Sequence, residues 1–354
     1  GGGGGDDGSD GDDSDFGPRR PPTAPEEEED SDEDGGGART AEGVAGEFAL
    51  PVSHEVVLKG HTKPVVALAI DPAGSRVLSG SMDCDVKIYD FGGMDKTHKA
   101  FRQVTPEEGN LMVALGYSCT GDKFVAATVS AQPKVFDRDG HELVQFIKGD
   151  PYIADMTNTK GHTSCLAHAE FHPYDKDTVL TAANDGTVRV WDLNGQLNFA
   201  GLLSCKQVMK LRSERNLRLA ATACAYSTEN GSTVAGGGED GSLHLFDARF
   251  TKFARARATV RAAHQGKITC IQFSPDSRTI ASRGMDDVVK LWDARKFKEP
   301  LKEFPGVPTL YETANVAFSP DGRLVAAGTS GKPGEGSGRV RFFDAQRGER
   351  TGGG

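Results

Sequence analysis

The feature that constrains this chain most is a unit that returns six times. An aromatic residue followed by Asp recurs at Tyr89-Asp90, Phe136-Asp137, Trp191-Asp192, Phe246-Asp247, Trp292-Asp293 and Phe343-Asp344, so successive Asp residues stand 47, 55, 55, 46 and 51 positions apart. A period of this length holds one four-stranded sheet, and such units must stack to bury both faces of each. Between the pairs sits a second marker, an apolar residue leading a tight turn: IDPAG from Ile70, YSCTG from Tyr117, FHPYD from Phe171, YSTENG from Tyr226, FSPDS from Phe273 and FSPDG from Phe318. Short apolar stretches flank each turn, VVALAI before the first and RVLSGS after it, which reads as a hairpin. The 45 glycines among 354 residues fit a turn-rich chain and disfavour an all-helical one.

A third marker is more specific. In the first, third and fifth copies a His precedes the turn, a Ser or Thr follows it, an Asp comes four residues later and the aromatic six beyond that. The sets are His61/Ser79/Asp83/Tyr89, His162/Thr181/Asp185/Trp191 and His264/Ser282/Asp286/Trp292. This spacing predicts a hydrogen-bonded tetrad in which His, Asp and hydroxyl tie strand to turn and the indole or phenol closes the chain, and with it an all-β WD-repeat β-propeller. An Asp-His-Ser trio in that setting is scaffold, not a catalytic triad. The second, fourth and sixth copies lack the His: the second has Ser130 and Gln132 where the Asp turn belongs, only Asp240 survives in the fourth, and the sixth has the run SGKPGEGSG at 330–338. These even-numbered blades are expected to be held less rigidly and to offer loops to partners. Six blades are visible of an expected seven, with the seventh truncated or missing. The segment HEVVL at 54–58 suits a closing strand, and the expectation is an open six-bladed arc with an exposed strand edge.

Charge divides the chain. Residues 1–50 hold 16 Asp and Glu against three Arg, and the remainder holds 35 against 38 Lys and Arg. Residues 1–49 are therefore read as a disordered acidic leader, since Gly, Asp, Glu, Pro and Ser cannot bury enough apolar area to offset chain entropy, and residues 50–350 as the propeller. Ser9, Ser14 and Ser31 stand just before acidic residues, a context acidophilic kinases favour. The six cysteines lie at least 19 positions apart with no C-x-x-C pair, so they are read as reduced thiols, and no metal site is expected. No long apolar run and no signal sequence can be drawn, which points to a soluble intracellular protein without a membrane partner. Gly236 to Gly241 matches a dinucleotide-binding pattern letter by letter, yet it falls on a strand, turn and strand with no helix to follow. The expectation is a protein that is not an enzyme and uses no cofactor and no small-molecule substrate.

The runs LPVSHEVVLKGHTK (50–63), DVKIYDFGGMD (85–95), KGDPYIADMTNTKGHT (148–163) and ASRGMDDVVKLWDARKFKEPL (281–301) resemble the WD repeat-containing protein 70, or gastrulation-defective, family of nuclear propellers. The specific pieces are FGGMD and PYIADMTNTKGHT, which a generic repeat does not need. The resemblance spans about residues 50–346 and implies a nuclear, non-enzymatic scaffold, similar to substrate receptors of cullin-4 ubiquitin ligases that dock on damage-specific DNA-binding protein 1. It also implies a part in histone ubiquitination at DNA breaks, with late spliceosome components as the alternative setting.

Receptors of that ligase resemble one another in a W/F-D-x-R box on adjacent blades. Two such boxes occur here, Phe246-Asp247-Ala248-Arg249 and Trp292-Asp293-Ala294-Arg295, and they are the candidate adaptor-docking residues; the alternative is an Arg paired with its own blade's Asp. Two basic stretches flank the fourth copy, Lys206, Lys210, Arg212, Arg215 and Arg218 before it and Lys252, Arg255, Arg257 and Arg261 after it. They form a candidate patch for an acidic protein segment or for nucleic acid.

Overall fold

The computed structural model describes residues 56–249, 253–331 and 338–348. The acidic leader, with Ser9, Ser14 and Ser31, lies outside the described residues, as do His54, Glu55, Lys252 and positions 332–337 of the Gly-rich run in the sixth copy.

Every element among the described residues is a β-strand, and the strands form six sheets. Blade 1 comprises β1 (Val65–Ile70), β2 (Arg76–Ser81), β3 (Val86–Asp90) and β4 (Arg102–Val104). Blade 2 comprises β5 (Met112–Tyr117), β6 (Lys123–Thr128), β7 (Lys134–Asp137) and β8 (Glu142–Gln145). Blade 3 runs from β9 (Leu166–Phe171) through β10 (Thr178–Ala183) and β11 (Thr187–Asp192) to β12 (Gln207–Lys210). Blade 4 holds β13 (Ala221–Tyr226), β14 (Thr233–Gly238) and β15 (Leu243–Asp247); the chain then forms β16 (Phe253–Ala254) before completing the blade with β17 (Ala256–Val260). Blade 5 is β18 (Ile268–Phe273), β19 (Thr279–Gly284), β20 (Val289–Asp293) and β21 (Pro300–Phe304), and blade 6 is β22 (Val316–Phe318), β23 (Leu324–Gly328) and β24 (Val340–Asp344).

Apart from β16, the strands within each blade follow chain order and pair antiparallel, and the first strand of each blade packs on the first strand of the next. Side chains alternate between the two faces of a strand, and here both faces are covered. Val179 of β10 packs with Val125, Val135 and Trp191 toward blade 2, and its neighbour Leu180 packs with Cys224, Val234 and Phe246 toward blade 4. This double burial explains why the middle strands read as unbroken apolar runs instead of alternating.

One expectation needs correction. The unit is not uniformly four-stranded: β16 pairs in parallel with β12, so blade 3 has five strands. After β15 the chain crosses to the outer edge of blade 3 and uses its free ladder before returning to its own blade. Of the segment at 54–58 only Val56 to Leu58 are described; they lie in no strand, and Val56 and Val57 are exposed. A strand needs a partner edge, and these residues meet none among those described. Among the described residues blade 6 has three strands, and the outer face of β1 leaves Leu68 and Ile70 68% and 65% exposed.

Candidate functional site

The three His-bearing blades build the same polar chain. In blade 3, His162 Nδ1–H donates to Asp185 at 3.0 Å, the Thr181 hydroxyl donates to His162 Nε2 at 2.7 Å, and Trp191 Nε1–H donates to the Thr181 oxygen at 2.8 Å. Blade 5 repeats it with His264 to Asp286 at 3.0 Å, Ser282 to His264 at 2.7 Å and Trp292 to Ser282 at 2.8 Å. Burial drives the His162 imidazole below its usual range despite the neighbouring Asp185. Burial would raise Asp185, but His162, Thr187 and Arg189 outweigh it and hold the carboxylate far below its usual range. The Thr181 oxygen already accepts the indole proton and lies fully buried with His162, so this trio has no face to offer a substrate.

Blade 1 differs in its last member. His61 donates to Asp83 at 2.9 Å and Ser79 Oγ lies 2.6 Å from His61 Nε2, yet the Tyr89 hydroxyl forms no hydrogen bond to Ser79. A phenol carries its hydroxyl beyond the ring, past the point where an indole N–H sits. The Tyr89 hydroxyl ends where a side chain on residue 60 would start, 2.1 Å from the position of a Cβ built on Gly60.

Sequence reasoning missed other members. The residue after each His donates its backbone N–H to the same carboxylate: Thr62 to Asp83 at 3.1 Å, Thr163 to Asp185 at 3.1 Å and Gln265 to Asp286 at 3.0 Å. Thr187 adds its hydroxyl to Asp185 at 2.6 Å. Blade 4 has a polar chain of its own. Ser242 donates to Asp240 at 2.5 Å, lies 2.9 Å from His244 Nε2, and His244 Nδ1 lies 3.2 Å from Thr259 Oγ1, so the chain runs outward from β15 to β17. Its signal was a His two residues before Phe246, on the strand and not ahead of it. Blade 2 joins Thr128 to Ser130 at 3.1 Å, and Gln132 reaches Phe146 O at 3.1 Å.

Register separates the two ends of each blade. The His-Asp turns crowd one face, and the Asp of each aromatic-Asp pair lies at the opposite face, beside the turn that joins the first two strands of its blade. Phe246 and Trp292 are buried and provide no docking surface, contrary to their inclusion in the boxes; they fill the seams between blades. Only the Asp-x-Arg ends reach solvent. There the two boxes diverge. Arg249 forks onto its own Asp247, with Nη2 at 2.6 Å and Nε at 3.0 Å. Both carboxylates accept the backbone N–H two residues on, Asp247 from Arg249 at 3.0 Å and Asp293 from Arg295 at 2.7 Å; Asp293 Oδ1 also accepts Lys296 N–H at 3.1 Å, and the Arg295 guanidinium forms no hydrogen bond or ion pair to a carboxylate among the described residues.

The two basic stretches are joined by the β12–β16 ladder and by Arg261, whose Nη1 donates to Arg212 O at 2.8 Å. They do not form one patch. Lys210 is paired with Asp155, and Arg212, Arg215, Arg218 and Arg261 gather toward the His-Asp face; Lys206, bound to Asp192 at 3.0 Å, lies at the other end with Arg255 and Arg257. At that other end, Arg257, Leu245 and Ala258 of blade 4 face residues 293–301 of blade 5 across a cleft of about 720 Å³.

Comparison with known proteins agrees with this architecture. Residues 53–90 match the description "WD domain, G-beta repeat", and residues 142–328 match "Nucleolar protein 10-like, N-terminal domain". WD repeat-containing protein 70 of Xenopus tropicalis is 40% identical over 295 residues, 83% of this chain and 46% of that protein. The Bos taurus protein of the same name is 40% identical over 304 residues, 85% and 45% respectively. Gastrulation defective protein 1 homolog of Drosophila melanogaster is 39% identical over 301 residues, 84% and 44%. The chain thus spans less than half the length of these relatives. Six stacked blades, repeated tetrads and this likeness together place the chain in the WD repeat-containing protein 70, or gastrulation-defective, family of WD-repeat β-propeller proteins.

Proposed function

We propose that the propeller, a protein-interaction scaffold of the WD-repeat type, is nuclear and non-enzymatic and serves as a substrate receptor of a cullin-4 ubiquitin ligase in chromatin, bringing histone substrates to the ligase at DNA breaks. The observation that carries this reading is the uncommitted Arg295 guanidinium at the Asp end of blade 5, in a box resembling those by which such receptors dock on damage-specific DNA-binding protein 1. An unpaired guanidinium can meet a carboxylate or carbonyl pair in fork geometry without first breaking an internal bond. Arg249 must leave Asp247 to do the same, so it is assigned the secondary contact.

A structural place in a nuclear ribonucleoprotein, such as a late spliceosome, is the second reading. It is favoured by Arg212, Arg215, Arg218 and Arg261 on the opposite face, which suit phosphates. Purification of the full-length protein from nuclei, with and without nuclease, separates the two. Ligase subunits that persist through nuclease support the receptor reading, and splicing proteins lost with nuclease support the second.

A further inference from the structure

The cleft between blades 4 and 5 combines two properties that seldom coincide by accident. Its floor is apolar, formed by Leu245 and Ala258 on one wall and by Phe297 on the other, with Leu301 at the lip 57% exposed. Its rim is cationic: Arg257, Arg295, Lys296 and Lys298 stand around it, and none of the four pairs with a carboxylate among the described residues. The rim acids are fewer. They are Asp293, whose carboxyl is held below the usual range by two backbone N–H donors and by the nearby Lys296 and Arg295 charges, and Glu299. A volume of about 720 Å³ is the size of a ligand site and not of a packing defect. Purely electrostatic binding would need no apolar floor, and a hydrophobic ligand alone would leave four cations unused.

We propose that this cleft binds an extended acidic segment of a partner protein, one that sets an apolar side chain on Phe297 and Leu301 and flanks it with Asp or Glu reaching Arg257, Arg295, Lys296 and Lys298. Charge complementarity selects the acids, and the floor selects the apolar anchor. The assignment goes beyond the ligase reading: it shares Arg295 with the docking box but draws on Arg257, Lys298 and Leu301, which that box does not contain.

The test uses the full chain and a short fluorescein-labelled peptide of Glu and Asp with Leu-Phe at its centre, followed by polarisation. The labelled peptide should bind, and replacing Leu-Phe by Gly-Ser or every acid by Lys should weaken binding about tenfold or more. Arg257→Glu with Lys298→Glu should produce a loss of the same order, Leu301→Asp a smaller one, and the blade 1 control Lys99→Glu none. Equal binding by the Gly-Ser peptide, or stronger binding of a labelled single-stranded oligonucleotide that the Leu301→Asp variant leaves unchanged, would overturn the proposal. Adaptor co-purification is read separately. Peptide binding without the adaptor removes the ligase reading and keeps the cleft, and the adaptor without peptide binding does the reverse.

Discussion

Blades 3 and 4 are neighbours that solve one problem by two routes. In blade 3 the His arrives ahead of the first strand and fixes the turn from outside, through Asp185, to Thr181 and Trp191. In blade 4 the corresponding hydroxyl position is Gly236, and the polar chain starts at Asp240 and runs through Ser242 and His244 to Thr259. Each route satisfies the turn carboxylate, in blade 3 by linking it to the middle strands β10 and β11 and in blade 4 by linking it to β15 and the outer strand β17, and a buried polar network is stabilising when its members are satisfied. Without a His ahead of its first strand, blade 4 still buries β13, β14 and β15 almost throughout.

The largest effect that tests this equivalence is His162→Ala. It strands the buried Asp185 without its imidazole donor and should lower unfolding free energy by about 3 kcal/mol, read from urea midpoints. A change below about 0.5 kcal/mol would show that Thr163 and Thr187 suffice to hold the carboxylate.

A second effect concerns the seam between the same two blades. Glu170 of β9 accepts the backbone N–H of Tyr226 on β13, and burial pushes its carboxyl up to about 8 against that bond. The folded value lies above the unfolded one of about 4.5, so the protonated form is favoured in the fold. Its contribution to stability is fully present below about pH 4.5 and is lost as pH rises through about 8. Blade 5 places Gln272 in the equivalent position, accepting Phe318 N–H at 2.6 Å. Glu170→Gln should therefore flatten the pH profile and add about 2 kcal/mol above pH 8, with little change near pH 4. An unaltered profile in denaturant melts across this range would locate the titration elsewhere.

His244→Ala should cost less than His162→Ala, about 1 to 2 kcal/mol, because Asp240 keeps the Ser242 hydroxyl and backbone N–H at 2.5 and 2.9 Å. Equal losses would make the two chains energetically equivalent. The smallest effect lies in the tetrad turns, where Gly186 and Gly241 hold φ of 76° and 78° and Cys84 is forced to 73°. Cys84→Gly should raise stability by about 0.5 kcal/mol, since glycine adopts this region without the Cβ penalty but loses more chain entropy. Differential scanning calorimetry against the wild type would resolve it.

The sequence disclosed what repeats at fixed spacing. The six aromatic-Asp pairs, the turns and the three His sets all recur, and the structure places each His within hydrogen-bond reach of its Asp and hydroxyl. What it hid were contacts between units. His244 breaks the spacing of the odd blades, the β16 crossover depends on an edge contributed by another blade, and Glu170 and Gln272 bond across seams that no single repeat contains. The two docking boxes share the letters Asp-Ala-Arg, and only the structure distinguishes an Arg whose guanidinium forks onto its own Asp247 from one whose guanidinium forms no such bond to Asp293.

That difference gives the most direct test of the proposed role. Full-length protein carrying Arg295→Glu, compared with Arg249→Glu and the wild type, should be assayed for co-purification with damage-specific DNA-binding protein 1 and for thermal unfolding. Arg295→Glu should lose the adaptor while unfolding at the wild-type temperature, and Arg249→Glu should lose less. Normal recovery of the adaptor with a correctly folded Arg295→Glu protein would contradict the account and leave both boxes as blade ends.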